Sequence, residues 1–126
     1  MNSELENIID HYKNPRNVLD KTQVKDYFLT TESSNLSCGD RCRFVLIPSD
    51  GKHKVLHDSE GCSLTIAAAS ILSEMFNNNE MDKKKMLSLD FDSFVESLGV
   101  QITFSRRKCI YVAFEAFKKL IQQLHH

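Results

Sequence analysis

Apolar residues recur at Leu5, Ile8, Ile9 and Tyr12, a spacing that predicts a short helix over 2–13 with Ser3 as a candidate cap. Pro15 disfavours helical backbone in the residue before it, so this helix should stop near Lys13-Asn14. Between Val24 and Glu32 the β-branched and aromatic content predicts a strand. Cys42, Phe44 and Leu46 then alternate with Arg41, Arg43 and Val45, the period of a half-buried strand. Pro48 and Ser49-Asp50-Gly51 supply a turn, and Lys52 to Asp58 is expected to return as the partner strand of a β-hairpin.

After Gly61 the period changes from two to that of a helix. Leu64, Ala67, Ala68, Ile71 and Met75 form one stripe, and Asn77-Asn78-Asn79 ends it. Residues 81–98 read as two short helices, with Asp90 capping the second ahead of Phe91, Phe94, Val95 and Leu98. A loop through Gly99 leads to Ser105. The last helix then carries Cys109, Val112, Ala113, Ala116, Phe117, Leu120 and Leu124 on one face. Strands followed by helices indicate an α+β fold, a small antiparallel sheet with helices packed against it and a long C-terminal helix. At 126 residues and 41% hydrophobic, the chain suits a single domain over 1–126.

Composition narrows the function classes. A net charge of −1, with both signs spread along the chain, gives no reason to expect nucleic acid as a partner. No apolar run approaches the roughly 18 residues of a membrane span. The first residues lack a basic and then apolar leader, so a cytoplasmic address is expected. In that compartment the four cysteines are expected as thiols or ligands rather than disulfides. His125 and His126 are given no functional weight.

Three of the cysteines sit in chemically suggestive places. In Cys38-Gly39-Asp40, a glycine that permits a tight bend lets a thiolate and a short-tethered carboxylate converge, and zinc accepts both donor types. The same tripeptide equally describes a turn closed by an aspartate hydrogen bond. Cys62 lies just before a helix, with Ser63 as candidate cap, and Cys109 is expected in the first turn of the last helix. Helix starts favour thiolate, though each cysteine taken singly fits an inert buried residue as well. Arg106, Arg107 and Lys108 place three cations where the helix dipole disfavours them, which suits an anionic neighbour such as a thiolate, a persulfide or an acidic partner. A later helix start would make the same run an ordinary solvated one. Cys42 belongs to an apolar strand face and reads as core, although Cys38-x₃-Cys42 also has the spacing of a structural zinc knuckle. His53 and His57 are expected at exposed strand positions, and His11 as a cation at the end of the first helix.

Four short motifs occur in order: Asp10-His11-Tyr12-Lys13-Asn14-Pro15-Arg16-Asn17, Cys38-Gly39-Asp40-Arg41, Gly61-Cys62-Ser63 and Arg107-Lys108-Cys109. In these the chain resembles the IscU/SufU/NifU N-terminal family of iron–sulfur cluster assembly proteins, most closely the SufU branch. The resemblance implies a three-stranded antiparallel sheet with helices on one face. It also implies a metal site made by Cys38, Asp40, Cys62 and Cys109. In the SufU branch that site holds zinc, Cys38 would be the acceptor of sulfur from a cysteine desulfurase of the SufS/IscS type, and the sulfur passes to downstream cluster assembly proteins. In IscU proteins the corresponding site carries a [2Fe–2S] cluster. The resemblance thus leaves open a zinc-dependent sulfurtransferase and a non-enzymatic scaffold, with a structural zinc-binding interaction module as a third class.

The departures from the family pattern bear on that choice. Lys108 precedes the last cysteine, as in the SufU branch, where IscU proteins have histidine. The Leu-Pro-Pro-Val-Lys chaperone motif of IscU proteins is replaced by Gly99-Val100-Gln101-Ile102-Thr103. The stretch from Cys62 to Cys109 is nevertheless shorter than the SufU branch usually has. Leu19 stands where a glycine is usual, and a local change in that loop is expected.

Overall fold

The computed structural model describes residues 3–20, 22, 27–35, 37, 39–78 and 82–124. Its elements run α1 (Ser3–Lys13), β1 (Leu29–Asn35), β2 (Asp40–Ser49), β3 (Lys52–Glu60), α2 (Ser63–Asn77), α3 (Lys83–Ser88), α4 (Phe91–Ser97) and α5 (Phe104–Leu124). The strands form one antiparallel sheet in the order β1-β2-β3. The hairpin between β2 and β3 turns on Asp50 and Gly51, both at positive φ (49° and 78°), with Ser49 facing Lys52. That is the two-residue turn whose twist matches the strands it joins. Pro48 is tolerated in the central strand because β1 ends its pairing at Leu46. The expected strand over Val24 to Glu32 is shifted: it runs from Leu29 to Asn35, and residues 23–26 lie outside the described set.

One face of the sheet presents Cys42, Phe44, Leu46, Val55 and His57, and the helices cover it. Phe44 meets Phe117 of α5 edge-on, with ring centroids 5.7 Å apart. Ala67, Ala68 and Ala69 of α2 and Ala113 and Ala116 of α5 are all buried. Small side chains there let the two helices approach closely. Helices α2 and α5 run in the same direction, since Thr65 reaches Cys109 near their starts while Phe76 and Leu124 line one hollow near their ends. On the opposite sheet face Leu19 packs with Val45, Leu56 and Ile47 in a second, smaller cluster. The leucine expected to change its loop therefore has a definite task, covering the back of the sheet.

The motif at 10–17 fastens α1 to the rest. The Nδ1 atom of His11 meets Ser70 Oγ at 2.7 Å, and that same hydroxyl accepts the Arg16 backbone N–H at 2.8 Å. Asp10 pairs with Arg16 and accepts from Asn14, while Asn17, at φ 59°, donates to Ser73. His11, in the last turn of α1, is 3% exposed and lies between Ser70 and Glu74, whose carboxylate is 3.4 Å from its Nε2 atom. The expectation for His57 is corrected. His57 is 2% exposed because the 14–19 loop lies over it: its Nε2 atom donates to Arg16 O at 2.9 Å, and Ser59 Oγ lies 2.9 Å from its Nδ1 atom. His53 is exposed, as expected. No helix among the described residues is long and apolar enough to cross a membrane.

Candidate metal centre

Asp40 opens β2 directly after Gly39, whose φ of 72° makes the bend the sequence suggested. The carboxylate points inward and is 2% exposed. Its Oδ1 atom accepts the Cys62 backbone N–H at 2.7 Å, while Oδ2 is buried with no hydrogen-bond partner. The tripeptide is therefore more than a local turn, because its carboxylate binds across to the chain leaving β3. Gly61 makes this contact possible. A Cβ built there would fall 2.1 Å from Asp40 Oδ1, and its φ is 113°.

Cys62 is itself the N-cap of α2, at φ −60° and ψ 147°, with no side-chain cap bond. Ser63, the expected cap, is the first helical residue. Thr65, fully buried one turn on, donates from Oγ1 to the Cys109 carbonyl at 3.1 Å. Cys109 lies in the second turn of α5 and not the first, because the helix starts at Phe104. Residue Cys109 is 9% exposed, and the side chains of Cys62 and Asp40 are among its neighbours. Burial first, then the neighbouring Cys62 and Asp40 side chains, push its pKa up to about 12. Burial and two electron-rich neighbours thus oppose the pull toward thiolate expected of a helix start.

Asp40, Cys62 and Cys109 are therefore brought together, and Cys38 lies outside the described residues. Among the described residues no three His, Cys, Asp or Glu side chains are set out as a metal cage. The described part of the cluster is two thiols and a carboxylate that holds the Cys62 backbone N–H. Its donors nonetheless fit a metal of borderline softness: two sulfurs, one carboxylate, and a buried oxygen without a proton donor. Cys42 is fully buried, its pKa pushed up to about 12 mainly by burial, and it packs with Phe44 on the core face as expected.

The cationic run lies within α5, which removes the later-start reading. Thr103 O accepts the backbone N–H groups of both Arg106 and Arg107 at 3.0 Å. Arg107 pairs with Asp92 of α4 at 3.5 Å, and Arg106 and Lys108 are exposed. Beside them opens a cleft of about 790 Å³ walled by Phe91, Phe104, Tyr111 and the end of β1. Phe104 is 82% exposed and Tyr111 45%. Sequence reasoning missed both this cleft and Thr65. A polar residue on the inward stripe of α2, three positions after Cys62, was the available signal for the latter.

These features define a class, small α+β proteins that gather cysteines and one aspartate where a strand and two helices begin. The chain belongs to the NifU-like N terminal domain family, which it matches over residues 3–126. It is 29% identical over 128 residues to the zinc-dependent sulfurtransferase SufU of Bacillus subtilis (strain 168), covering 89% of this chain and 84% of that protein. It is 31% identical over 98 residues to the iron–sulfur cluster assembly scaffold protein IscU of Aquifex aeolicus, covering 75% of this chain and 59% of that one. Among solved structures, SufU of Fervidobacterium islandicum AW-1 shares the fold at TM-score 0.63 and 19% identity, over 90% of this chain and 93% of that one. The NifU-like N-terminal protein of Brucella abortus does so at TM-score 0.64 and 14% identity, over 95% and 92%. The chain is thus one of the IscU/SufU/NifU family of iron–sulfur cluster assembly proteins.

Proposed function

We infer that this protein accepts sulfur from a cysteine desulfurase at Cys38, with zinc held by Cys38, Asp40, Cys62 and Cys109, and passes it to downstream cluster assembly proteins in the cytoplasm. The observation that carries the reading is the buried Asp40 carboxylate, one oxygen on the Cys62 N–H and the other unpaired, beside the thiol of Cys109. Leaving a buried carboxylate oxygen unsatisfied costs about 1–3 kcal/mol or more, a cost that a cation at that point would remove. Zinc, when bound, would keep the ligand sulfurs as thiolates at neutral pH.

In the transfer step the Cys38 thiolate attacks the terminal sulfur of the desulfurase persulfide. A new S–S bond forms on Cys38, the donor's S–S bond breaks, and the desulfurase cysteine leaves as thiolate, so no external oxidant or reductant is needed. Arg106, Arg107 and Lys108, next to Cys109 in the chain, would favour an anionic persulfide. Cys38→Ser should abolish uptake of radiolabelled sulfur from a desulfurase while far-UV circular dichroism stays that of the parent. Undiminished uptake by that variant removes the proposal.

A [2Fe–2S] scaffold is the second reading, favoured by the similarity to an IscU scaffold and by the aspartate, a harder and weaker ligand for iron–sulfur chemistry than cysteine. Anaerobic reconstitution with iron and sulfide separates the two. A stoichiometric visible chromophore with zinc displaced favours the scaffold, and retained zinc with no chromophore favours transfer.

A further inference from the structure

Among the described residues a single side-chain hydrogen bond joins α2 to α5, that from Thr65 Oγ1 to Cys109 O at 3.1 Å. Both helices otherwise contribute apolar residues to one core cluster, which carries no directional bond between them. Thr65 is fully buried. Its own N–H closes the first turn of α2 on Cys62 O at 3.0 Å, so one residue is bonded to the backbone of both cysteines. A threonine hydroxyl inside a helix ordinarily turns back to a carbonyl of its own helix. Here it reaches across to the neighbouring one. The Cys109 carbonyl already has the acceptor direction along α5, and the second lone pair is the one Thr65 uses.

We propose that Thr65 is a positioning residue of the metal centre, its hydroxyl setting the axial register of α2 against α5 so that the sulfurs of Cys62 and Cys109 face one point. The proposal rests on the reading that both cysteines are ligands. Side chains on a helix lean toward its N-terminus, so Cys109 aims its sulfur back toward the start of α5, where the start of α2 lies alongside. An axial shift of one helix against the other would separate the two sulfurs. Such outer-shell partners of metal ligands contribute about 10–100-fold in affinity.

The test compares Thr65→Val, which keeps the shape and loses the hydroxyl, with Thr65→Ser, which keeps the hydroxyl and loses the methyl. Zinc affinity is measured by chelator competition on the full chain, together with the thiolate-to-metal absorption of the cobalt(II)-substituted protein. Thr65→Val is expected to bind zinc about tenfold or more weakly. Its cobalt band should be altered while the far-UV spectrum stays unchanged, and Thr65→Ser should restore both affinity and band. Parent-like zinc affinity and cobalt band in Thr65→Val overturn the proposal, and so does Thr65→Ser behaving as poorly as Thr65→Val, since packing alone then accounts for the loss. Cys109→Ala isolates the underlying reading. If that variant binds zinc as tightly as the parent, the ligand set is wrong and Thr65 falls with it. If it loses zinc and Thr65→Val does not, only the positioning role fails.

Discussion

Gly61 is where one atom decides the site. Any side chain there meets Asp40, and the backbone holds a φ that other residues adopt only at a cost of about 1–3 kcal/mol. Gly61→Ala should push the Asp40 carboxylate off the Cys62 N–H, lower stability by about 2 kcal/mol or more, and leave less than stoichiometric zinc by elemental analysis. Leu19 makes the opposite case, a residue that departs from the family pattern and is put to use. Leu19→Ala should cost about 2 kcal/mol in denaturant unfolding, at the low end for a buried leucine because its cluster holds only four residues. Some of this chemistry was legible in the chain: Gly39-Asp40 announced a bend with a short-tethered carboxylate, and Cys42 announced core by its alternation. The roles of His11 and His57 were not, because strand and helix periods tell which side a residue faces and not what lies over it. The covering loop at 14–19 comes from the far end of the chain, and a buried imidazole looks in sequence the same as an exposed one.

At the scale of elements, period and punctuation carried most of the information. Asp50-Gly51 marked the hairpin, and Asp90 caps α4 by accepting the Ser93 N–H at 2.7 Å. The misplacements have physical causes. β1 was expected too early because Ser33-Ser34-Asn35 looks like a turn. In the fold Thr31 and Ser33 satisfy their hydroxyls on α5, at Ala116 O and Glu115, so polar residues face inward without loss. Helix α5 begins one residue before the expected Ser105, at Phe104, an aromatic left in solvent that no hydrophobic pattern would place there. The clasp of β3 to the 14–19 loop makes a prediction about pH. Burial depresses the His57 pKa below its usual 6.5, against the opposing pull of the Arg16 carbonyl and of Asp58. The unfolded chain therefore takes up a proton near pH 6.5 that the folded one refuses, and stability falls as pH drops below about 6.5 toward the depressed value. Urea midpoints measured from pH 8 to pH 5 should show this decline. His57→Gln, less stable at pH 8, should show a shallower one.

For the whole molecule, the core lies apart from the candidate metal centre. Phe44, Phe94, Phe117, Leu72 and Leu120 are fully buried in a cluster spanning the helical face of the sheet, whereas the thiols and Asp40 sit at one end of it. Removing zinc with a chelator should therefore lower Tm while leaving a cooperative transition and an α+β far-UV spectrum. A structural zinc domain would unfold outright. At a thousandfold excess of free zinc over Kd the stabilisation is about 4 kcal/mol, roughly 10–20 °C for a domain of this size.

The sealed position of Cys42 has a practical consequence. With no accessible surface and a pKa near 12, its sulfur has almost no thiolate at pH 8 and no path to a reagent. Alkylation there requires the sheet to part from the helices. Timed exposure to iodoacetamide, read by mass spectrometry on the peptide carrying Cys42, would time the opening of the core in the native protein with no added probe.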